Sequence, residues 1–210
     1  MRLLIFDYDG VLADTLADML RFAQATCDEM GVSHTVLASD LRDLEVMSFT
    51  TFGRACGVPE ERAEEFSRRC TRKFAEKVTP PAIFEGLSDV IWQLAKRNIL
   101  LIVSGNTTAN VNAFLLHHGL LDCFRSVYGV DLPGTKAGKI QMAQTRFGTD
   151  SGPVYFVGDS LSDLRAAREA GVRSIAVSWG HQSLEMLDSG RPAAIVHSPD
   201  ELYAILEAGG

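Results

Sequence analysis

The 210-residue sequence predicts an α/β protein, a doubly wound parallel sheet core into which an all-helical domain is inserted. Three observations carry that reading. Short, nearly continuous apolar runs recur along the chain, as strands buried on both faces require. From residue 84 onward these runs alternate with segments of helical spacing, the pattern of successive βα units. Between residues 14 and 83 the alternation stops, and only helical patterns remain.

Taken in order, "LLIFDYD" (3–9) is the first strand. Helical patterns follow at 16–30, 37–55 and 60–77, and the rigid "TPPAIFEG" closes them. The chain therefore divides into a core of residues 1–13 and 84–210 and a helical insertion of residues 14–83, hinged near Ala13 to Leu16 and near Pro80 to Glu85. The core continues with a helix at 87–97, the strand "ILLIVSG" (99–105), a helix at 108–118 and the strand "SVYGV" (126–130). A helix at 137–147, the strand "PVYFVGD" (153–159) and a helix at 161–170 come next. The strands "RSIAVSWG" (173–180) and "AAIVHS" (193–198) and a helix at 199–208 complete it.

Composition narrows the function. With 46% hydrophobic and 22% charged residues the chain has an ordinary globular make-up. A net charge of −7 argues against tracking a nucleic-acid backbone, while leaving room for a local basic pocket that holds a small anion. No apolar stretch approaches the roughly 18 residues of a spanning helix, and the N-terminus meets Asp7 too soon for a signal peptide, so a cytoplasmic location is expected. Cys27, Cys56, Cys70 and Cys123 show no CxxC spacing and read as reduced thiols without a metal role. The five histidines are scattered and receive no metal role either. The mixed charges of "ERAEEFSRRCTRKFAEK" (61–77) read as a solvated helix face, with Arg54, Arg69 and Lys73 as weaker candidates for anion contacts.

Polar residues gather at the carboxyl ends of the predicted strands, where open α/β sheets bind ligands. Asp7 and Asp9, two apart, would face one crevice, and Gly10 lets the chain turn; solvated acids or an aspartate turn are the plain alternative. In "VSGNTTAN" (103–110) a strand meets a helix start, so Ser104 and the backbone of Gly105 and Asn106 suit an anion, although Asn106 or Thr107 also suits an N-cap. Lys136 and Lys139 in "LPGTKAGKI" stand in or near the first turn of a helix, where a positive charge opposes the dipole and calls for an anionic partner. In "GDSLSD", Asp159 ends a strand, Ser160 can cap the next helix, and Asp163 completes a capping-box variant.

In this order and at successive strand ends, "DYDGVLADT", "VSGN", a helix-starting lysine and "GDSLSD" resemble the four motifs of the haloacid dehalogenase superfamily of phosphohydrolases. The helical insertion resembles that family's small cap, and the resemblance covers essentially the whole chain. It implies Mg²⁺ held by Asp7, Asp159 and the Asp9 main-chain carbonyl, with Asp163 joining or orienting the set. It implies Asp7 as nucleophile, Asp9 as acid and base, and Ser104, Gly105, Asn106 and Lys136 as holders of the phosphoryl oxygens, Lys136 being preferred to Lys139. Asp9 sets the chain apart from the superfamily's dehalogenases and phosphonate-cleaving members. The ending "VSWGHQSLEML" resembles phosphoglycolate-phosphatase-like members. Glu85 stands where a proline is usual, and "LRDLEVMSFTTFGRACG" lacks their glycine-marked substrate loop, so a broader class of small phosphorylated metabolite is expected. A sugar-phosphate mutase and a non-catalytic binding protein are the alternatives the family allows.

Overall fold

The computed structural model describes residues 1–77, 79–148 and 152–208. Val78 and residues 149–151 and 209–210, which fall within the predicted insertion and core, lie outside the described residues. A parallel six-stranded sheet is built from β1 (Leu3–Phe6), β4 (Ile99–Val103), β5 (Phe124–Tyr128), β6 (Tyr155–Gly158), β7 (Arg173–Val177) and β8 (Ala194–Val196), in the order β5-β4-β1-β6-β7-β8. All its neighbouring strands run parallel.

The apolar runs fill this sheet because both faces are covered. Along β1, Leu4 and Phe6 enter one core while Leu3 and Ile5 enter the other, as the twofold alternation of a strand dictates. Helices α5 (Leu87–Ala95), α6 (Thr108–His117) and α10 (Pro199–Ala208) cover the first face with Leu87, Ile91, Phe114 and Leu202. Helices α7 (Lys136–Phe147) and α8 (Leu161–Ala170) cover the second with Ile140, Ala143 and Ala167. Strand order reverses at β1, which lies between β4 and β6, so the loops after these three strands frame a crevice at their carboxyl ends.

The strands end earlier than the apolar runs suggest, because the chain needs their last residues for turns. β1 stops at Phe6 and the Tyr8 carbonyl then accepts from the N–H groups of Leu12 and Ala13, at 2.9 and 3.0 Å. A short helix α9 (Leu184–Ser189), capped by Ser183, was not anticipated from the sequence.

The segment between β1 and β4 holds α1 (Leu16–Met30), α2 (Ser39–Arg42), α3 (Phe49–Ala55) and α4 (Ala63–Ala75). These helices enclose their own apolar cluster, with Phe52 and Phe66 fully buried in it. Two expectations need correction. The single helix predicted over 37–55 is two helices, because the Ser48 side chain accepts from the Thr51 N–H and starts α3 anew. The region read as free of strands is bounded by a two-stranded antiparallel ribbon, β2 (Ala13–Asp14) with β3 (Ala82–Ile83). Among the described residues no helix is long and apolar enough to cross a membrane.

Candidate active site

The end of β1 delivers Asp7 into the crevice. Its N–H donates to the Val157 carbonyl at 2.8 Å, which extends the β1–β6 pairing by one residue and fixes where the side chain begins. The carboxylate is buried. One oxygen, Oδ2, lies 3.1 Å from the Lys136 ammonium, whereas Oδ1 is buried without a hydrogen-bond partner. A buried carboxylate oxygen left unpaired costs about 1–3 kcal/mol or more, so it marks a place where a cation or donor belongs.

Lys136 opens α7, where the Thr135 hydroxyl caps the Gly138 N–H. The ammonium bridges Asp7 and Asp163, at 3.1 and 2.6 Å, and these two carboxylates hold it in its charged form against its burial. Its neighbour Lys139 points elsewhere and donates to the Gly129 carbonyl at 2.8 Å. Asp163 is fully buried and heavily bonded: Oδ1 takes Lys136, and Oδ2 accepts from the Ser160 hydroxyl at 2.7 Å and from the Asp159 N–H at 3.3 Å. The Ser160 hydroxyl also caps the Asp163 N–H, so the helix-capping and charge-holding roles of this motif coexist.

Asp9 sits beyond the strand, with the Asn106 amide donating to its Oδ2 at 3.3 Å and Thr15 close by. Tyr8 between the two aspartates is buried against Phe114, its ring at 5.1 Å. Ser104 is buried at the end of β4, and its hydroxyl accepts from the Asn106 N–H at 2.9 Å. Gly105 lies within that turn, and α6 is capped two residues later by Thr107.

Asp159 brings in a residue the sequence reading assigned no role. His181 is 4% exposed, its N–H donates to Asp159 Oδ2 at 2.8 Å, and its Nδ1 stands 3.1 Å from the same oxygen. Nε2 reaches the Thr15 hydroxyl at 3.2 Å, so His181 is held between Asp159 and Thr15. Such packing admits no Cβ at Gly10, where one would fall 1.9 Å from Asp159 Oδ2 and where φ is +74°. The only sequence sign of this residue is its place in "SWGHQ", just past a strand end.

Electrostatics follows from the crowding. Burial, then Asp163, pushes the Asp7 carboxyl well above the ordinary carboxylate range, and Lys136 offsets this only in part. Burial likewise raises Asp9, with His181, Asn106 and Thr15 opposing. His181 is pushed up by Asp159 in spite of its burial. Ligand oxygens of Asp7, Asp159 and Asp163 lie within 4.8 Å of one another, an all-oxygen set of the kind a hard divalent cation takes. The orphaned Asp7 Oδ1 and the raised Asp7 carboxyl both fit one further positive charge here.

A cleft of about 100 Å³ lies beside this cluster, lined by Thr15, Asp18, Phe74, Lys77, Asn106 and Asn110 among others. Lys77 pairs with Asp18 at its mouth. The cations considered for anion contacts lie on the insertion's surface, with Arg54 on Glu60 and both Arg69 and Lys73 on Glu29.

Comparison with known proteins identifies the family and the fold. The model of the haloacid dehalogenase-like hydrolase family matches residues 4–177. A phosphoglycolate phosphatase of Synechococcus elongatus is 30% identical over 96% of this chain and 95% of its own length. An N-acetylmuramic acid 6-phosphate phosphatase of Pseudomonas putida is 27% identical over 99% and 97%. A haloacid dehalogenase-like family protein of Streptococcus pneumoniae superposes with a TM-score of 0.84 over 98% of both chains, at 22% identity, which speaks to the fold.

Proposed function

The chain belongs to the haloacid dehalogenase-like hydrolase family, and on that premise we propose that it is a Mg²⁺-dependent phosphomonoesterase acting on a small phosphorylated metabolite through an aspartyl-phosphate on Asp7. Phosphomonoester hydrolysis is the chemistry of the related phosphatases named above. The observation that carries the finer reading is the buried Asp7 carboxylate, with one oxygen on Lys136 and the other unpaired.

Asp7 and Asp159, with the Asp9 main-chain carbonyl, would hold Mg²⁺, and Asp163 would orient Lys136 and the loop around it. Bound there, the ion supplies charge that keeps Asp7 ionised and offsets the phosphoryl oxygens. Asp7 attacks the phosphorus in line, forming an acyl–phosphate bond while the bond from phosphorus to the leaving oxygen breaks. Asp9, whose carboxyl burial pushes above the ordinary carboxylate range, gives its proton to that oxygen and so releases the alcohol. The Asp9 carboxylate then takes a proton from water as it attacks the phosphorus, which frees inorganic phosphate and regenerates Asp7. Ser104, the turn of Gly105 and Asn106, and Lys136 hold the nonbridging oxygens. The helical insertion acts as a cap over the small cleft, and Asp18, Lys77 and Asn110 at its lining sort the leaving groups.

Phosphate release from a panel of phosphoglycolate, sugar phosphates, nucleotides and an aryl phosphate tests this. Release is expected with Mg²⁺ and not with chelator, and Asp7→Asn should lower it by about three orders of magnitude or more. Undiminished release in that variant would sink the nucleophile assignment. Release that required a bisphosphate activator and gave an isomerised sugar phosphate would replace hydrolysis with phosphoryl transfer between substrate positions.

A further inference from the structure

We infer that the helical insertion carries a second metal site, for a thiophilic divalent cation of the Zn²⁺ class, formed by Cys27, His34, Asp40 and Cys56.

Four separate pieces of chain converge there. Cys27 comes from the last turn of α1, His34 from the loop after it, Asp40 from α2, and Cys56 from the C-cap of α3. Ligand atoms of His34, Asp40 and Cys56 lie within 4.8 Å of one another, and the Cys27 thiol is a neighbour of the Cys56 thiol. His34 Nε2 meets Asp40 Oδ2 at 2.8 Å. With metal–sulfur bonds near 2.3 Å and metal–nitrogen or metal–oxygen bonds near 2.0–2.2 Å, tetrahedral ligands stand about 3.3–3.8 Å apart. The His34, Asp40 and Cys56 atoms already stand near that spacing, and Cys27, beside Cys56 but outside that group, moves toward it to complete the set.

Its chemistry selects the ion. Two sulfurs, one imidazole and one carboxylate suit Zn²⁺ and its neighbours, whereas Mg²⁺ requires oxygens. Packing explains Cys70 in the same apolar cluster, since its thiol faces the Thr26 hydroxyl and the Phe22 carbonyl. The bonded His34 imidazole and Asp40 carboxylate, by contrast, stand beside the Cys56 thiol at ligand spacing.

The surroundings are also arranged in advance. The Gln24 amide donates to the His34 carbonyl at 3.1 Å and its oxygen accepts from the Val36 N–H at 2.8 Å, which ties the loop to α1. The Leu37 N–H donates to Asp40 Oδ2 at 2.8 Å, an outer bond that orients the carboxylate. Cys27 and Cys56 are fully buried while His34 and Asp40 are half-buried, so an ion enters from the histidine side. Burial pushes the Cys27 thiol up and the Cys56 thiol up to about 12, so both are protonated before the ion arrives. Ligation sends those two protons to solvent, and the imidazole binds neutral with its proton on the nitrogen that does not ligate.

The test titrates metal-free full-length protein with Co²⁺, then with Zn²⁺. One equivalent of Co²⁺ is expected to give a sulfur-to-cobalt charge-transfer band in the near ultraviolet, which Zn²⁺ abolishes and Asp159→Asn leaves in place. Carboxylates alone give no such band, so binding at the catalytic cluster is distinguished. Cys27→Ser with Cys56→Ser should lose the band. His34→Ala, at a half-buried position, should weaken Zn²⁺ binding at least about tenfold. No band in the wild type, a band that survives loss of both thiols, or unchanged affinity in His34→Ala would overturn the site.

Discussion

Asp7, the nucleophile proposed above, is a buried carboxylate with one oxygen on Lys136 and the other unpaired. Burial and Asp163 raise its pKa from the ordinary 3.8, so the folded protein holds the Asp7 proton to higher pH than the unfolded chain does. The folded state thus binds more protons across that window, and metal-free stability falls as pH rises from about 4 toward the raised value, staying low above it. Asp7→Asn should therefore stabilise the metal-free protein near neutrality, by about 1–2 kcal/mol, and flatten that decline; urea denaturation at several pH values measures it. Lys136→Ala acts in the other direction. It leaves Asp7 and Asp163 facing one another without their shared cation, and a loss of about 3 kcal/mol is expected in the same assay. His181→Ala should weaken Mg²⁺ binding in a calorimetric titration by about tenfold, because Asp159 then keeps the backbone donor and loses the ring. Asp7, Asp9, Lys136 and Asp159 could be singled out in the sequence because each ends a strand or starts a helix within a few residues of a recognisable pattern. His181 could not, since its partners Asp159 and Thr15 are 22 and 166 residues away along the chain.

At the scale of elements, helices and buried strands were legible wherever periodicity ran long enough. α1 and α8 fall where their spacing predicts, because each has a full amphipathic stripe ended by a left-handed glycine, Gly31 and Gly171. The ribbon of β2 with β3 was not, since two-residue strands carry no alternation and are defined only by their pairing across the insertion. The same holds for the contact between the insertion and the loop after β7. There the Gln182 amide donates to the Leu44 carbonyl, Ser183 bonds Asp43 at 2.7 Å, and its N–H meets the Arg42 carbonyl at 3.2 Å. Gln182 also accepts from the Leu161 N–H at 2.5 Å, so one side chain joins the insertion to the helix that carries Asp163. Gln182→Ala should leave that buried N–H unpaired and loosen the insertion. The expected result is a several-fold rise in KM with a smaller change in kcat, measured by steady-state kinetics on the best substrate of the panel, together with a loss of about 1–2 kcal/mol in stability.

Over the whole molecule, the apolar packing falls into two regions, the sheet with its covering helices and the insertion. One packs the two faces of the sheet, and the other lies inside the four helices of the insertion. The acidic cluster belongs to the first, because Asp7, Lys136, Asp159 and Asp163 all grow from strand ends and helix starts of the sheet layer. A cation bound there stabilises by mass action whatever must be folded to form its site, about 2.7 kcal/mol at a hundred times Kd. For a chain of this size that corresponds to about 5–10 °C in Tm. Since the ligands proposed for it follow β1 and β6 and none lies on the four helices, the gain should be unevenly distributed. Mg²⁺ is expected to slow hydrogen exchange of the β1, β4 and β6 amides strongly while leaving those of α1, α3 and α4 nearly unchanged, and Asp159→Asn should abolish the difference. Equal protection of both clusters would mean that they unfold as one cooperative unit, and that the cap cannot open without disturbing the sheet.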